Sequence, residues 1–182
     1  MGKLIYSMSV SLDGFIAGPG DEIDWGAPDE ELHRYHNERV RELGLHLLGR
    51  RLYETMLYWE EDRPSDGPVE REFARIWRET PRVVFSTTLT SVEGNARLVR
   101  EGAAAEVERL KAESAGDIGL GGAGLAASLV DLIDEFELFV NPVVLGAGKP
   151  FFPALEQRIP LELVGTRTFG SRVVCLRYVR SG

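Results

Sequence analysis

Apolar and polar residues alternate strictly from Leu4 to Leu12, with Leu4, Tyr6, Met8, Val10 and Leu12 on one side and Ile5, Ser7, Ser9 and Ser11 on the other. A period of two predicts a β-strand with a side of small polar residues. From Pro28 to Leu43 the period changes. Leu32, Tyr35, Val40 and Leu43 recur at helical spacing, and Asp29 and Glu30 suit the positive end of that helix. Leu45 to Leu48 is a short apolar run closed by Gly49-Arg50-Arg51, after which a helical stretch reaches Met56.

Glu60 to Pro68, with Pro64 and Gly67, predicts a surface loop. Val69, Phe73, Ile76 and Trp77 then mark a helix, Arg82 to Leu89 a strand ending in Ser86-Thr87-Thr88, and Ala103 to Glu113 a helix carrying Val107 and Leu110. A strand leading from Ile118 into Gly121-Gly122-Ala123-Gly124 is followed by Leu125, Leu129, Leu132 and Phe136 at the spacing of one helix face. Leu138 to Leu145 predicts an apolar strand closed by Gly146-Ala147-Gly148. Leu161 to Phe169, a Gly170-Ser171 turn and Val173 to Val179 predict a β-hairpin. Strands alternating with helices and closing on a hairpin predict an α/β fold: a mostly parallel central sheet, helices on both faces, and an antiparallel C-terminal hairpin.

Composition narrows the picture. The 182 residues, 43% hydrophobic and 27% charged, suit one soluble domain over residues 1–182. A net charge of −8 opposes attraction to nucleic acid or an anionic membrane, and leaves a small molecule as the expected partner. Cys175 is the lone cysteine, so no internal disulfide forms, and its apolar alternating surroundings make it a packed strand residue. The N-terminus carries neither a signal-peptide pattern nor an apolar run of spanning length, so the expected location is the cytoplasm.

The Gly121 to Leu125 loop, between strand and helix, lets backbone approach a ligand and offers helix-start N–H groups to a phosphate; an ordinary tight turn is the alternative. It is not a P-loop, because Leu125 and Ala126 stand where Lys and Ser/Thr would. A Rossmann fingerprint fits poorly too, with Asn141 and Pro142 near the position of the ribose-binding acid. In a parallel sheet ligands bind at the carboxyl ends of strands, so Gly49-Arg50-Arg51, Ser86-Thr87 and Gly121-Gly122 should converge. Arginines and hydroxyls both hold phosphate, and three such places suit a ligand bearing a pyrophosphate and a separate phosphate, as NADPH does.

Elsewhere, Asp13 before Gly14 reads as a turn residue or as a contact in the ligand pocket. His33 and His36 lie one helical turn apart, but with only His46 besides and no nearby cysteine they read as solvated helix residues; no metal is expected. Trp25 and Tyr35 read either as walls for a flat heterocycle or as core.

Several segments in order resemble the dihydrofolate-reductase-like family, and within it the reductase domain of riboflavin biosynthesis and its stand-alone relatives. They are Met8-Ser9-Val10-Ser11-Leu12-Asp13-Gly14-Phe15-Ile16-Ala17, Leu48-Gly49-Arg50-Arg51-Leu52-Tyr53-Glu54, Val83-Val84-Phe85-Ser86, the Gly121-Gly122 loop, and Asn141-Pro142-Val143-Val144-Leu145-Gly146-Ala147-Gly148. The resemblance implies NADPH across the strand ends: pyrophosphate near Gly49, Arg50 and Gly121, Gly122, Ala123, Gly124 and Leu125, the adenosine phosphate at Arg51, Ser86 and Thr87, and the nicotinamide at Ile16 and Ala17. It places substrate among Ser9, Trp25, Tyr35 and Asn141, and it implies a homodimer. The folate-binding carboxylate falls near Glu30, in a run lacking that enzyme's apolar pattern, which argues against folate.

The expected activity is NADPH-dependent reduction of a C=N or C=O group in a small pyrimidine- or pterin-like heterocycle, the proton coming from Asp13, Glu30 or water. Reduction of the 5-amino-6-ribosylaminouracil phosphate of riboflavin biosynthesis is a second possibility and requires a phosphate pocket on the substrate side. A nucleotide-binding sensor without turnover is a third.

Overall fold

Leu4–Ser11 forms β1 as its alternation predicts, and it is buried on both sides, Ile5 as fully as Leu4 and Tyr6. The computed structural model describes residues 1–155 and 157–181. Following β1 in chain order are β2 (Phe15–Ala17), α1 (Glu30–Glu42), β3 (Leu45–Gly49), α2 (Arg50–Met56), α3 (Pro68–Glu79), β4 (Arg82–Phe85) and β5 (Ala96–Val99). The chain continues with α4 (Ala103–Glu113), β6 (Ile118–Gly121), α5 (Ala123–Ser128), β7 (Glu135–Asn141), β8 (Lys149–Pro150), β9 (Leu161–Thr168) and β10 (Val174–Arg180).

The main sheet has the order β5-β4-β3-β6-β1-β7-β10-β9, parallel as far as β7 and antiparallel through the terminal hairpin. Successive residues on each strand serve opposite faces. Leu47 and Val83 join Val107 of α4 and Leu125 of α5, whereas Leu48 and Val84 join Val40 of α1 and Phe73, Ile76 and Trp77 of α3. Helices therefore cover both faces. Asp29 caps α1 by accepting from the Leu32 amide at 2.9 Å, and Pro68 begins α3, where its missing N–H costs nothing. The small polar side of β1 meets a buried carboxylate: the Ser7 hydroxyl donates to Glu137 at 2.8 Å, and Arg39 Nε stands 3.2 Å from the same side chain.

Some elements depart from the expected pattern. Leu125, Leu129 and Phe136 share one buried cluster without sharing a helix: α5 stops at Ser128, a 3-10 turn covers Val130–Leu132, and Phe136 lies in β7, paired with Tyr6. The helical spacing signalled common burial. The strand expected over Leu138 to Leu145 is displaced to Glu135–Asn141 and ends before Pro142, which has no N–H to offer a ladder. β5 extends the sheet beyond β4, and β2 pairs with β8 in a separate two-stranded sheet.

The order of strands locates the site. After β1 the chain moves to β3 and builds outward to β5, then returns to insert β6 between β3 and β1. The carboxyl ends of β4, β3, β6 and β1 thus stand side by side at a reversal of direction, the usual ligand position in such sheets. Among the described residues no helix is long and apolar enough to cross a membrane.

Candidate active site

A cleft of about 1250 Å³ opens over these strand ends. One side is made by Gly49, Arg50, Arg51 and Leu52 at the start of α2 and by Gly122, Ala123, Gly124 and Leu125 at the start of α5; neither helix has a side-chain cap. Register explains their meeting, since Leu48 pairs with Gly121 and Gly49 with Phe85 across adjacent strands. At Gly122 glycine is required by φ +98°, whereas Gly121, expected as a cofactor contact, is buried behind the loop and does not line the cleft. The opposite side consists of Met8 and Ser9 on β1, Ile16 and Ala17 on β2, Trp25 in the Asp24–Gly26 turn, and Lys149 and Pro150 on β8.

A second hollow of about 630 Å³ adjoins it, sharing Arg50 and Phe85 and adding Ser86, Thr87, Thr88, Arg100 and Gly102. Its polar groups are ordered. Arg50 donates from Nη1 to Thr88 Oγ1 at 2.9 Å and from Nε to Glu54 at 2.8 Å, and Arg100 donates to the Thr87 carbonyl at 3.0 Å. Ser86 Oγ accepts from the Thr88 and Leu89 amides. Arg100, Thr88 and Lys149 escaped the sequence reading. Arg100 follows β5 and leads through Glu101-Gly102 into α4 much as Gly49 leads from β3 into α2, a likeness that shows only once β5 is placed.

Arg51 requires a correction. It lies in the main cleft, facing Asp21 at 3.7 Å, and does not line the hollow of Ser86 and Thr87, where Arg50 and Arg100 stand instead. The cause is helical geometry: successive residues at the start of α2 point about 100° apart, so the two arginines part company. Asp21 also pairs with Lys149, and that ammonium holds its carboxyl below the usual carboxylate range.

Other expected site residues fall outside both hollows. Tyr35 packs on Phe139 and Phe169, with ring centroids 5.9 and 5.3 Å away, under the Arg167 guanidinium. Asn141 is buried and spends its amide on the Phe139 carbonyl at 2.9 Å and the Val10 carbonyl at 3.5 Å. Glu30 points to solvent and pairs with Arg34 at 2.5 Å. Asp13 clamps the turn after β1 to the loop after β7, accepting from the Ser11 hydroxyl at 2.7 Å and from the Leu145 and Gly146 amides at 3.1 and 2.7 Å. The Ser11 hydroxyl and those amides keep it below the usual carboxylate range. Ser9 and Trp25 do line the cleft.

The histidines are not solvated. His33 packs against Trp59 and Phe73 and His36 against Phe139, and loss of water pushes His36 down to about 4. Cys175 is buried as expected, its thiol pushed up to about 12 by desolvation.

The family model described as the RibD C-terminal domain matches residues 2–175. The uncharacterized protein YyaP of Bacillus subtilis (strain 168) is 35% identical over 185 residues, covering 99% of this chain and 96% of YyaP. Among solved structures, a Shewanella sp. PV-4 protein named for riboflavin biosynthesis superposes with a TM-score of 0.79 at 22% identity over 100% of both chains. Dihydrofolate reductase from Enterococcus faecalis, complexed with NADP(H), gives 0.69 at 15% identity over 100% of this chain and 98% of its own. The fold is reductase-like and dihydrofolate-reductase-like.

Proposed function

The chain belongs to the RibD C-terminal domain family, and from that premise we propose that it is a reductase that binds NADPH along the cleft and delivers hydride to a C=N or C=O carbon of a small heterocycle. The observation that carries this reading is the junction at Arg50, where a long cleft walled by Gly49 at the end of β3 and by Gly122 and Gly124 at the start of α5 meets a hollow of arginines and hydroxyls. That pairing fits a pyrophosphate joined to a separate phosphate. The NADP(H) complex of the Enterococcus faecalis enzyme, on a similar fold, supports it.

When bound, the reduced nicotinamide supplies the hydride. The chain supplies position. Backbone N–H groups after Gly49 and Gly122 hold the pyrophosphate, and Arg50, Ser86, Thr87, Thr88 and Arg100 hold the adenosine phosphate. Ile16 and Ala17 back the nicotinamide end, while Met8, Ser9 and Trp25 shape the substrate space. Asp13 is occupied by its hydrogen bonds, Glu30 lies outside the cleft, and Asp21 and Glu54 are paired with Lys149 and Arg50, which supports water as the proton source in this reading. Cytoplasmic location and a homodimer belong to the same reading, with half-exposed Leu163 and Val164 on edge strand β9 as apolar surface for a second copy.

The test is a titration with NADPH followed by a panel of cyclic carbonyls and imines, scored by loss of reduced-nicotinamide absorbance. Binding with oxidation by at least one compound is expected. Absence of NADPH binding overturns the proposal, and binding without oxidation across the panel counts against turnover and favours a nucleotide sensor.

A further inference from the structure

Resting on that reading, we infer that the substrate end of the cleft takes a neutral, flat heterocycle and rejects a phosphorylated one. This end is formed by the last residues of β1, by β2, by the Asp24–Gly26 turn and by β8. Its surface is chiefly apolar, with Met8, Ile16, Ile23, Trp25 and Pro150, and Ile23 is left 51% exposed at the rim. The indole of Trp25 spends its N–H on the Glu22 carbonyl at 3.0 Å, so what it offers a ligand is ring surface.

Charge decides against phosphate. Among the described residues lining the cleft, the cations are Arg50, Arg51 and Lys149. Both arginines spring from the first turn of α2, beside the glycines, and only Lys149 belongs to the substrate side. Its ammonium is paired with Asp21, whose other carboxylate oxygen faces Arg51 at 3.7 Å. Asp21 is held in the left-handed region at φ +67°. Asp21 thus engages both Lys149 and Arg51, and a phosphate arriving at this end would have to displace that carboxylate to reach either cation.

The contrast within the chain is informative. Where it offers a phosphate site, beside β4 and β5, two arginines and three adjacent hydroxyls line one hollow. At the substrate end the hydroxyl is that of Ser9 and the cation, Lys149, is engaged by Asp21. In the hollow Arg50 is paired with Glu54, but Arg100 has no carboxylate partner among the described residues. A phosphorylated ribosylaminopyrimidine would lose hydration there without gaining a partner, so this chain shares the riboflavin reductase fold without its substrate.

The matched pair of ribityllumazine and its terminal phosphate ester tests this. Each is titrated calorimetrically into the wild-type protein and into Asp21→Asn, with and without NADPH. The phosphate should weaken binding to the wild type at least tenfold, and Asp21→Asn, by freeing Lys149, should recover most of that loss. Equal or tighter binding of the phosphate ester to the wild type overturns the inference, and so does failure of both compounds to bind. Failure of NADPH to bind overturns the cofactor reading alone, since the ranking of the pair is measured without it as well.

Discussion

Gly49→Ala separates cofactor binding from folding. Gly49 has φ −72° and ψ 160°, extended backbone open to any residue, and an added Cβ would stand 3.4 Å from Leu125 Cβ, an ordinary contact. Replacing glycine by alanine at a helix N-cap costs about 0.5–1 kcal/mol, and the reduced freedom of the unfolded chain returns about 0.4–1 kcal/mol, so stability should barely move. The methyl group, however, occupies the gap between the starts of α2 and α5, both of which line the cleft. A phosphate kept from N–H groups there forfeits charged hydrogen bonds of about 1.5–3 kcal/mol each. Loss of one raises the NADPH Kd roughly ten- to a hundredfold. Calorimetric titration with NADPH, run beside urea unfolding of both proteins, reads the two quantities separately. An NADPH Kd within roughly twofold of wild type, with unchanged unfolding, refutes placement of the pyrophosphate between these two helices.

Arg100→Ala should weaken NADPH roughly tenfold and leave NADH unaffected, while Arg51→Ala should leave the ratio of the two affinities unchanged; fluorescence titration with both nucleotides checks this. Gly148→Ala should lower stability by about 1–3 kcal/mol, because φ is +146° and the new Cβ would overlap the Ala17 carbonyl oxygen across the β2–β8 pair; urea unfolding measures it. Burial pushes the His46 imidazole down to about 4, against about 6.5 in an unfolded chain. Neutral His46 is therefore fully compatible with the fold above pH ~6.5, and stability falls by about 1.4 kcal/mol per pH unit as pH drops toward about 4. His46→Leu, replacing a ring whose Nε2 is buried without a partner, should flatten that slope in unfolding measured across the range.

Length and periodicity made β1, α1 and α4 readable from sequence, since each repeats its pattern often enough to exclude the alternative. β5, β2 and β8 span four, three and two residues and exist through pairing with distant strands, which no local pattern reports. Phe136 shows the opposite failure: burial beside Leu125 and Leu129 imitated a helix face that strand pairing with Tyr6 had already claimed. In the site, the glycine strand ends were legible because parallel strands bring their carboxyl ends together. Unseen β5 concealed Arg100, and nothing local to Tyr35 distinguished the helix face toward Phe139 from a face toward the cleft.

NADPH and NADH titrated side by side into the wild-type protein test the shared geometry of cleft and hollow most directly. Binding of NADPH at least roughly tenfold tighter than NADH, equivalent to about 1.4 kcal/mol, is predicted from Arg50, Arg100 and the hydroxyls between them. Equal affinities, or binding of neither, would contradict it.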